Sequence, residues 1–356
     1  MKKIIITGAG SAQSNGVINS LVNSGDDEQI IGLGADPTEL VMCKAHKKYL
    51  MPYAVDAKYK ETLLKVLNAE KPNMIHFQHD LELAIALNFR DEIEATGVKM
   101  LVPDYDTIDT CVHKYKSWQK FKDAGIKVPE NRVINNDEDL KAAFRELGNK
   151  EGTIWLRLMS IGGGGKGALP TNDYQEAYEW IDNSKGWGDF VAAELLEKDT
   201  ITWLSIWNEG ELIVGQGRKR HGWAHSALSV SGVTGVTKVG ETCHDDLVDN
   251  VAMQSVRAVS KVPNGIYGVD MTYDKNGIPN PTEINISRFF TTVEFFTQAG
   301  LNMPKIFKDL VLYNKKPELK TNLNPLEDGL LWLRIMDCAP MLTTKEKIER
   351  ELVKIW

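Results

Sequence analysis

The sequence predicts an α/β and α+β chain: an N-terminal doubly wound parallel sheet, then a small α+β domain, then a larger mixed-sheet domain. Three observations lead there. Short β-branched runs alternate with amphipathic helical stretches through the first ~110 residues, the pattern of a parallel sheet with crossover helices. After Lys114 the texture changes, and strands are joined by tight turns at Asn208-Glu209-Gly210 and Asn276-Gly277. The length of 356 residues corresponds to two or three domains at about 150 residues each.

Each element follows from local pattern. Lys2 to Thr7 is a β-branched run ending at Gly8 and Gly10, with a helical apolar repeat behind it at Val17, Ile18, Leu21 and Val22. Gln29 to Leu33 is a second strand, Tyr59 to Leu67 a helix, Asn73 to Phe77 a third strand leading to a helix from Asp80, and Met100 to Val102 a fourth strand before Pro103. The helix Tyr115 to Ala124 stops at Gly125, and Ile126-Lys127-Val128-Pro129 leaves extended. Asp137 to Leu147 reads as helix, Thr153 to Leu158 as strand and Leu247 to Ser260 as helix. Phe190 to Ala193, Ile201 to Trp207, Glu211 to Gly215, Gly265 to Tyr273 and Pro281 to Ile286 are further strands. These elements divide into residues 1–112, 113–192 and 193–356.

Composition excludes several classes. With 42% apolar and 26% charged residues the chain is of globular type. Lys plus Arg number 42 against 49 Asp plus Glu, a net charge of −7, with no basic run, so no nucleic-acid partner is expected. The apolar part of MKKIIITGAG is too short for a signal segment, and no apolar stretch approaches the ~18 residues of a membrane span, so the cytoplasm is the expected compartment and no membrane partner is foreseen. Cys43, Cys111, Cys243 and Cys338 form no CxxC pair and read as reduced thiols. The close histidine pairs, His76 with His79 and His221 with His225, lack a third neighbouring zinc ligand.

Five segments carry chemistry. Gly8-Ala9-Gly10-Ser11-Ala12-Gln13 is an incomplete dinucleotide fingerprint with Gln13 in the third glycine position; it is either a tight strand-to-helix turn or, with Asp36 as ribose acid, a nicotinamide site. Gly162 to Gly165 followed by Lys166 is an entropically costly run that exposes backbone N–H groups for an anion, with Lys166 and Arg157 adding charge. It is not a P-loop, because Gly167 follows the lysine; flanking strand residues favour a hairpin lid over a linker. Glu283 and Asn285 alternate onto one strand face and Asp270 lies on a neighbouring strand, a hard oxygen set suited to magnesium, or manganese, bridging phosphates. Arg218-Lys219-Arg220 is a cationic knot that either grips a carboxylate or ends a solvated strand. Asp80 and Glu82, at the carboxyl end of a strand, either meet an amine or cap a helix.

In order and spacing these motifs resemble the ATP-grasp ligases, most closely the branch of the carbamoyl phosphate synthetase large chain and biotin carboxylase. The resemblance runs from about Lys3 to Lys316. It rests on the opening TGAG turn, Asp80-Leu81-Glu82, His113-Lys114 with the helix behind it, the glycine lid, Ala193-Glu194-Leu195-Leu196, and Gly268-Val269-Asp270 with Glu283-Ile284-Asn285. It implies phosphate contacts for Lys114, Arg157, Gly163, Gly164, Gly165 and Lys166, and adenine contacts for Glu194 and Leu196. It implies magnesium ligation by Asp270, Glu283 and Asn285. Two positions depart from the family pattern. Its Glu-x-Asn-x-Arg arginine falls on Ser287, with Arg288 one residue later; its ribose acid aligns with no single residue, leaving Asp199 or Thr202.

The function implied is ATP- and Mg2+-dependent joining of a small carboxylate to an amine or thiol through an acyl phosphate, with release of ADP and phosphate. Arg288 and Arg220 are the catalytic candidates, and Asp80, Glu82 and Arg218 the substrate candidates. Biotin-dependent carboxylation is less expected because the chain ends soon after the ligase core. A catalytically silent nucleotide-binding regulator and an NAD-linked oxidoreductase are the alternatives. A homodimer is implied by family analogy alone.

Overall fold

Three sheets organise the chain, which the computed structural model describes over residues 1–159, 167–224, 226–228, 230–232, 236–335 and 341–347. β1 (Lys3–Ile6), β2 (Gln29–Gly34), β3 (Lys47–Leu50) and β4 (Met74–His76) form a parallel sheet in the order β3-β2-β1-β4. The helices Ala12–Val22, Pro37–Met42 and Tyr59–Glu70 make the connections. Strand alternation sends Ile5 into one core with Leu63 and Phe77, and Ile4 and Ile6 into another with Val17 and Ile18.

The fourth strand is not where the sequence puts it. Met100–Val102 is not a strand; pairing there amounts to one parallel bridge between Met74 and Lys99. The chain instead turns away toward Gly265, where an added Cβ would lie 3.0 Å from the Leu101 carbonyl oxygen. The fourth strand is β3, an edge strand whose Lys47, Lys48 and Leu50 are exposed, so it carries no apolar alternation to reveal it.

β5 (Asn131–Ile134), β6 (Ile154–Leu158), β7 (Leu169–Thr171) and β8 (Phe190–Glu194) form an antiparallel sheet in the order β5-β8-β6-β7. It has a core of its own, in which Ile134, Leu156 and Phe190 meet Leu140 and Ala177 of the helices Asp137–Leu147 and Tyr174–Asn183. β6 and β7 are antiparallel neighbours, so the glycine run joins the two strands of a hairpin. Gly163, Gly164, Gly165 and Lys166 themselves lie outside the described residues.

β9 (Thr200–Asn208), β10 (Glu211–Arg220), β11 (Val239–Cys243), β12 (Gly265–Tyr273), β13 (Pro279–Ile286), β14 (Leu330–Leu333) and β15 (Met341–Thr344) form an antiparallel sheet in the order β13-β12-β9-β10-β11-β14-β15. On one face Trp203, Trp207, Tyr267, Val269 and Ile284 pack with Val248, Ala252 and Val256 of the helix Asp246–Val259. On the other, Leu204, Ile206, Val214 and Ile266 share a core with Val17 and Ile18 of the first sheet's helix. The first and third sheets are thus welded through common cores, whereas the second sheet packs internally. The helix Lys114–Asp123 sends Phe121 into the core shared by the first and third sheets, which sets its N-terminus beside β13.

Cys43, Cys111 and Cys243 are buried and unpaired, and burial pushes the Cys243 thiol up to about 12; Cys338 and His225 lie outside the described residues. Among the described residues no helix is long and apolar enough to cross a membrane.

Candidate functional site

Glu283, Asp270, Thr202 and Arg218 are successive register partners on β13, β12, β9 and β10, a single row across the third sheet. Register partners on antiparallel strands point to the same face, as do residues two apart on one strand. Asn285 and Arg220 therefore join the row's face. With strands about 4.8 Å apart, the row crosses about 14 Å of sheet.

At the β13 end the carboxylates are knit into a network. Asp270 Oδ1 accepts from Thr202 Oγ1 at 2.5 Å, and Asp270 Oδ2 accepts from Asn285 Nδ2 at 2.9 Å. Glu283 Oε2 lies 3.3 Å from Lys114 Nζ. Lys114 is the first residue of its helix, where the macrodipole disfavours a cation, so an acidic partner offsets a local penalty. Arg157 reaches over from β6, and its Nη1 donates to the Thr282 carbonyl at 3.3 Å. Burial alone would raise the Glu283 carboxyl, but Lys114, Arg157 and Arg288 together hold it below the ordinary glutamate value. Burial in turn lowers Arg157, against the pull of Glu283.

Two carboxylates and an amide oxygen on one face are hard donors. They suit a small divalent cation that takes its remaining ligands from water and phosphate oxygens. No group of three or more His, Cys, Asp or Glu side chains placed to hold a metal occurs among the described residues.

The position of the site arginine is decided by the backbone. Ser287 is buried and left-handed, at φ 55°, and this breaks the alternation of β13. Arg288 is thereby turned onto the row: its Nη2 donates to Asn285 Oδ1, and its Nε lies 2.5 Å from Asp80 Oδ1. Asp80 is thus the partner of a site arginine.

At the β10 end Arg218 is buried and Lys219 and Arg220 are half-buried, so the cationic knot does not end a solvated strand. Arg218 is 1% exposed; its Nη1 donates to Thr237 and Thr292 hydroxyls at 3.1 and 2.8 Å, and its Nη2 to Thr202 Oγ1 at 2.7 Å. Arg220 donates to the hydroxyls of Thr237, Thr200 and Thr202 at 3.2, 2.9 and 3.0 Å, lies 3.6 Å from Asp270 Oδ1, and stacks on Trp223 at 3.9 Å. Burial, then Arg220, bring Arg218 down to about 9 against the pull of Asp270, with Arg334 lowering it further. Burial likewise lowers Arg220, opposed by Asp270 and Glu283.

The Thr202 hydroxyl donates once and accepts twice, which exhausts it as a ribose partner. Asp199 is exposed, held through its carbonyl by Tyr273 N at 3.2 Å. Thr200, Thr237, Thr292 and Trp223 escape the sequence reading. The first was detectable: Thr200 and Thr202 keep strand period two, but that reading begins the strand one residue too late.

Other candidates stand apart from the row. Glu82 is held beneath the first sheet's edge, where its oxygens accept from Thr7 Oγ1 at 2.5 Å and Tyr59 OH at 2.7 Å. Burial raises its carboxyl against both hydrogen bonds. Glu194 is exposed and accepts from Glu130 N at 3.1 Å, and Leu196 lies half-buried in the segment leading to β9. Asp36 is spent as a helix cap, accepting from Thr38 N at 2.7 Å and Glu39 N at 3.1 Å. Gly10, at φ 104°, lies so near the Glu39 backbone that an added Cβ would come within 2.5 Å. Close backbone packing accounts for Gly10 and helix capping for Asp36, so neither residue needs a nicotinamide to explain it.

No family model matches the chain. A formate-dependent phosphoribosylglycinamide formyltransferase from Nitratiruptor sp. is 26% identical over 186 residues, 51% of this chain; the match spans 45% of that relative, less than half its length. Among solved structures, carboxyaminoimidazole ribonucleotide synthase from Aspergillus clavatus with ATP has a TM-score of 0.70 at 13% identity, over 93% of this chain and 81% of its own. An L-amino acid ligase from Bacillus licheniformis has a TM-score of 0.69 at 13% identity, over 93% and 79%. The biotin carboxylase domain dimer of Hydrogenobacter thermophilus 2-oxoglutarate carboxylase, with MgADP, ADP and bicarbonate, has a TM-score of 0.68 at 15% identity, over 94% and 74%. At this coverage and TM-score the chain shares the fold of these structures, the ATP-grasp fold.

Proposed function

We propose that this chain is an ATP- and Mg2+-dependent ligase that joins a small carboxylate to an amine through an acyl phosphate, releasing ADP and phosphate. The observation that carries the reading is the row Glu283, Asp270, Thr202, Arg218. It sets oxygen donors for a phosphate-bound cation beside a buried guanidinium whose hydrogen bonds among the described residues all go to hydroxyls. Such a guanidinium is costly until an anion reaches it. Among proteins of similar structure one is named an L-amino acid ligase, a carboxyaminoimidazole ribonucleotide synthase was crystallised with ATP, and a biotin carboxylase domain with MgADP, ADP and bicarbonate.

Magnesium at Asp270, Glu283 and Asn285, or manganese in its place, would neutralise phosphate oxygens. Lys114 and Arg157, which converge on the Glu283 segment from two other elements, would exchange that contact for the triphosphate. Gly163, Gly164, Gly165 and Lys166 would cover it, with Glu194 and Leu196 on the adenine and Asp199 at the ribose. Arg218 and Arg220 would orient the acid. Its carboxylate oxygen attacks the γ-phosphorus and the P–O bond to ADP breaks. The amine nitrogen then attacks the acyl carbon, phosphate leaves and the nitrogen loses a proton. Arg288 would stabilise charge on the phosphoryl group in flight, so that positioning and electrostatics do most of the work. Family likeness supports a homodimer and composition supports a cytoplasmic setting.

The test supplies Mg·ATP with a panel of amino acids and small carboxylic acids. ADP and phosphate that rise together with one acid and amine pair are expected. AMP and pyrophosphate as products would overturn the acyl phosphate.

A further inference from the structure

The segment after β4 grips the segment after β13. Gln78, fully buried, lies alongside the backbone of Phe289: its Oε1 accepts from Phe289 N and its Nε2 donates to Phe289 O, each at 3.0 Å. A side-chain amide thus supplies the two-bond pairing that a neighbouring strand would give. The amide is itself fixed. His76 Nε2 meets the same Oε1 at 2.7 Å, Thr7 Oγ1 accepts from Gln78 N at 3.2 Å, and Gln13 Nε2 donates to Gln78 O at 3.3 Å. Since Oε1 can only accept, His76 donates from Nε2. The Phe289 ring is wedged near His76 and Phe307, with ring centroids 5.6 and 6.1 Å away.

This grip falls two residues past Ser287, the one residue of the β13 exit with positive φ. A serine in the left-handed region is strained, and the buried Ser287 hydroxyl has no hydrogen-bond partner among the described residues, so no such bond offsets the strain. Yet that turn is what brings Arg288 to Asn285 and Asp80.

We propose that Gln78 is a positioning residue for Arg288: its two bonds to Phe289 hold the strained Ser287 turn and so keep the guanidinium on Asn285. The N-terminal sheet thereby sets the geometry of a site arginine carried by the third sheet. The kinetic consequence rests on the ligase reading above; the geometric one does not.

The test uses Gln78→Met, which keeps length and loses both bonds, and Gln78→Asn, which keeps the amide one methylene short. Each is crystallised, titrated with Mg·ATP, and assayed for ADP release with the acid and amine pair found in the panel. In Gln78→Met we expect Ser287 to relax to an extended φ, Arg288 to leave Asn285, and kcat to fall about 10²-fold. Mg·ATP affinity should stay within about twofold, a split that general destabilisation does not give. Adding Ser287→Gly should restore part of kcat, because glycine holds the turn without strain. If Gln78→Met does not fold, Gln78→Asn decides, with the same displacement and a smaller loss. Arg288 remaining on Asn285 in whichever variant folds would overturn the proposal, as would an unchanged kcat in an active enzyme. If Arg288 moves but the wild type releases no ADP with any pair, the positioning role stands and the ligase reading falls.

Discussion

Asp270 and Glu283 stand directly opposite each other on β12 and β13, and each carboxylate meets a different cation: Arg220 lies 3.6 Å from Asp270 and Lys114 lies 3.3 Å from Glu283. Like charges in register repel, so the pair persists because three other elements import positive charge to it. Glu283→Gln keeps the shape and removes the charge. We expect ADP release to fall about 10²- to 10³-fold with an unchanged circular dichroism spectrum. Near-normal turnover would mean that the cation binds elsewhere.

Arg218 separates function from stability. Its guanidinium is buried among threonine hydroxyls, and replacing a buried charge by an apolar side chain of similar length is often neutral or stabilising. Arg218→Met should therefore keep or raise the melting temperature while raising KM for the acid about tenfold or more. A lowered melting temperature with an unchanged KM would make Arg218 structural.

Asp80 and Glu82, two residues apart in one helix, should respond differently. Asp80→Asn weakens the contact with Arg288 and should lower kcat about tenfold. Glu82 is answered on both oxygens by Thr7 and Tyr59, so Glu82→Gln should change thermal stability by about 1 kcal/mol and leave kcat nearly untouched. Steady-state kinetics of the two variants side by side decide; the reverse ranking would place the amine at Glu82.

His76 gives a pH signature. Burial lowers it from 6.5 to about 4, against the hydrogen bond it donates to Gln78. Between those values the unfolded chain binds a proton that the folded chain does not, so stability is full above about 6.5 and declines as pH falls toward 4. The loss attributable to this residue is about 3 kcal/mol. Urea midpoints should fall less steeply over this range in His76→Gln, which keeps a donor but cannot titrate. Parallel slopes in the two proteins would show that other groups carry the acid sensitivity.

The helix Asp137–Leu147 and the strand Gly265–Tyr273 could be read to the residue, because apolar period and turn chemistry mark both ends. The row of Glu283, Asp270 and Arg218 was legible as residue types at compatible spacing, but not as a row, since register is set by pairing across the sheet. Gln78 and Phe289 are 211 positions apart, and nothing local in either segment announces their bond. Arg288 is the instructive case: strand alternation assigns the inward position to Ser287, and a left-handed turn held from another sheet overrides it.

In the proposed reaction a carboxylate oxygen becomes an oxygen of the released phosphate. With the acid labelled by 18O in its carboxylate, one turnover per product with Mg·ATP and the amine should place one labelled oxygen in inorganic phosphate, read by mass spectrometry or by the isotope shift in 31P NMR. Label in AMP, or unlabelled phosphate alongside product, would contradict it.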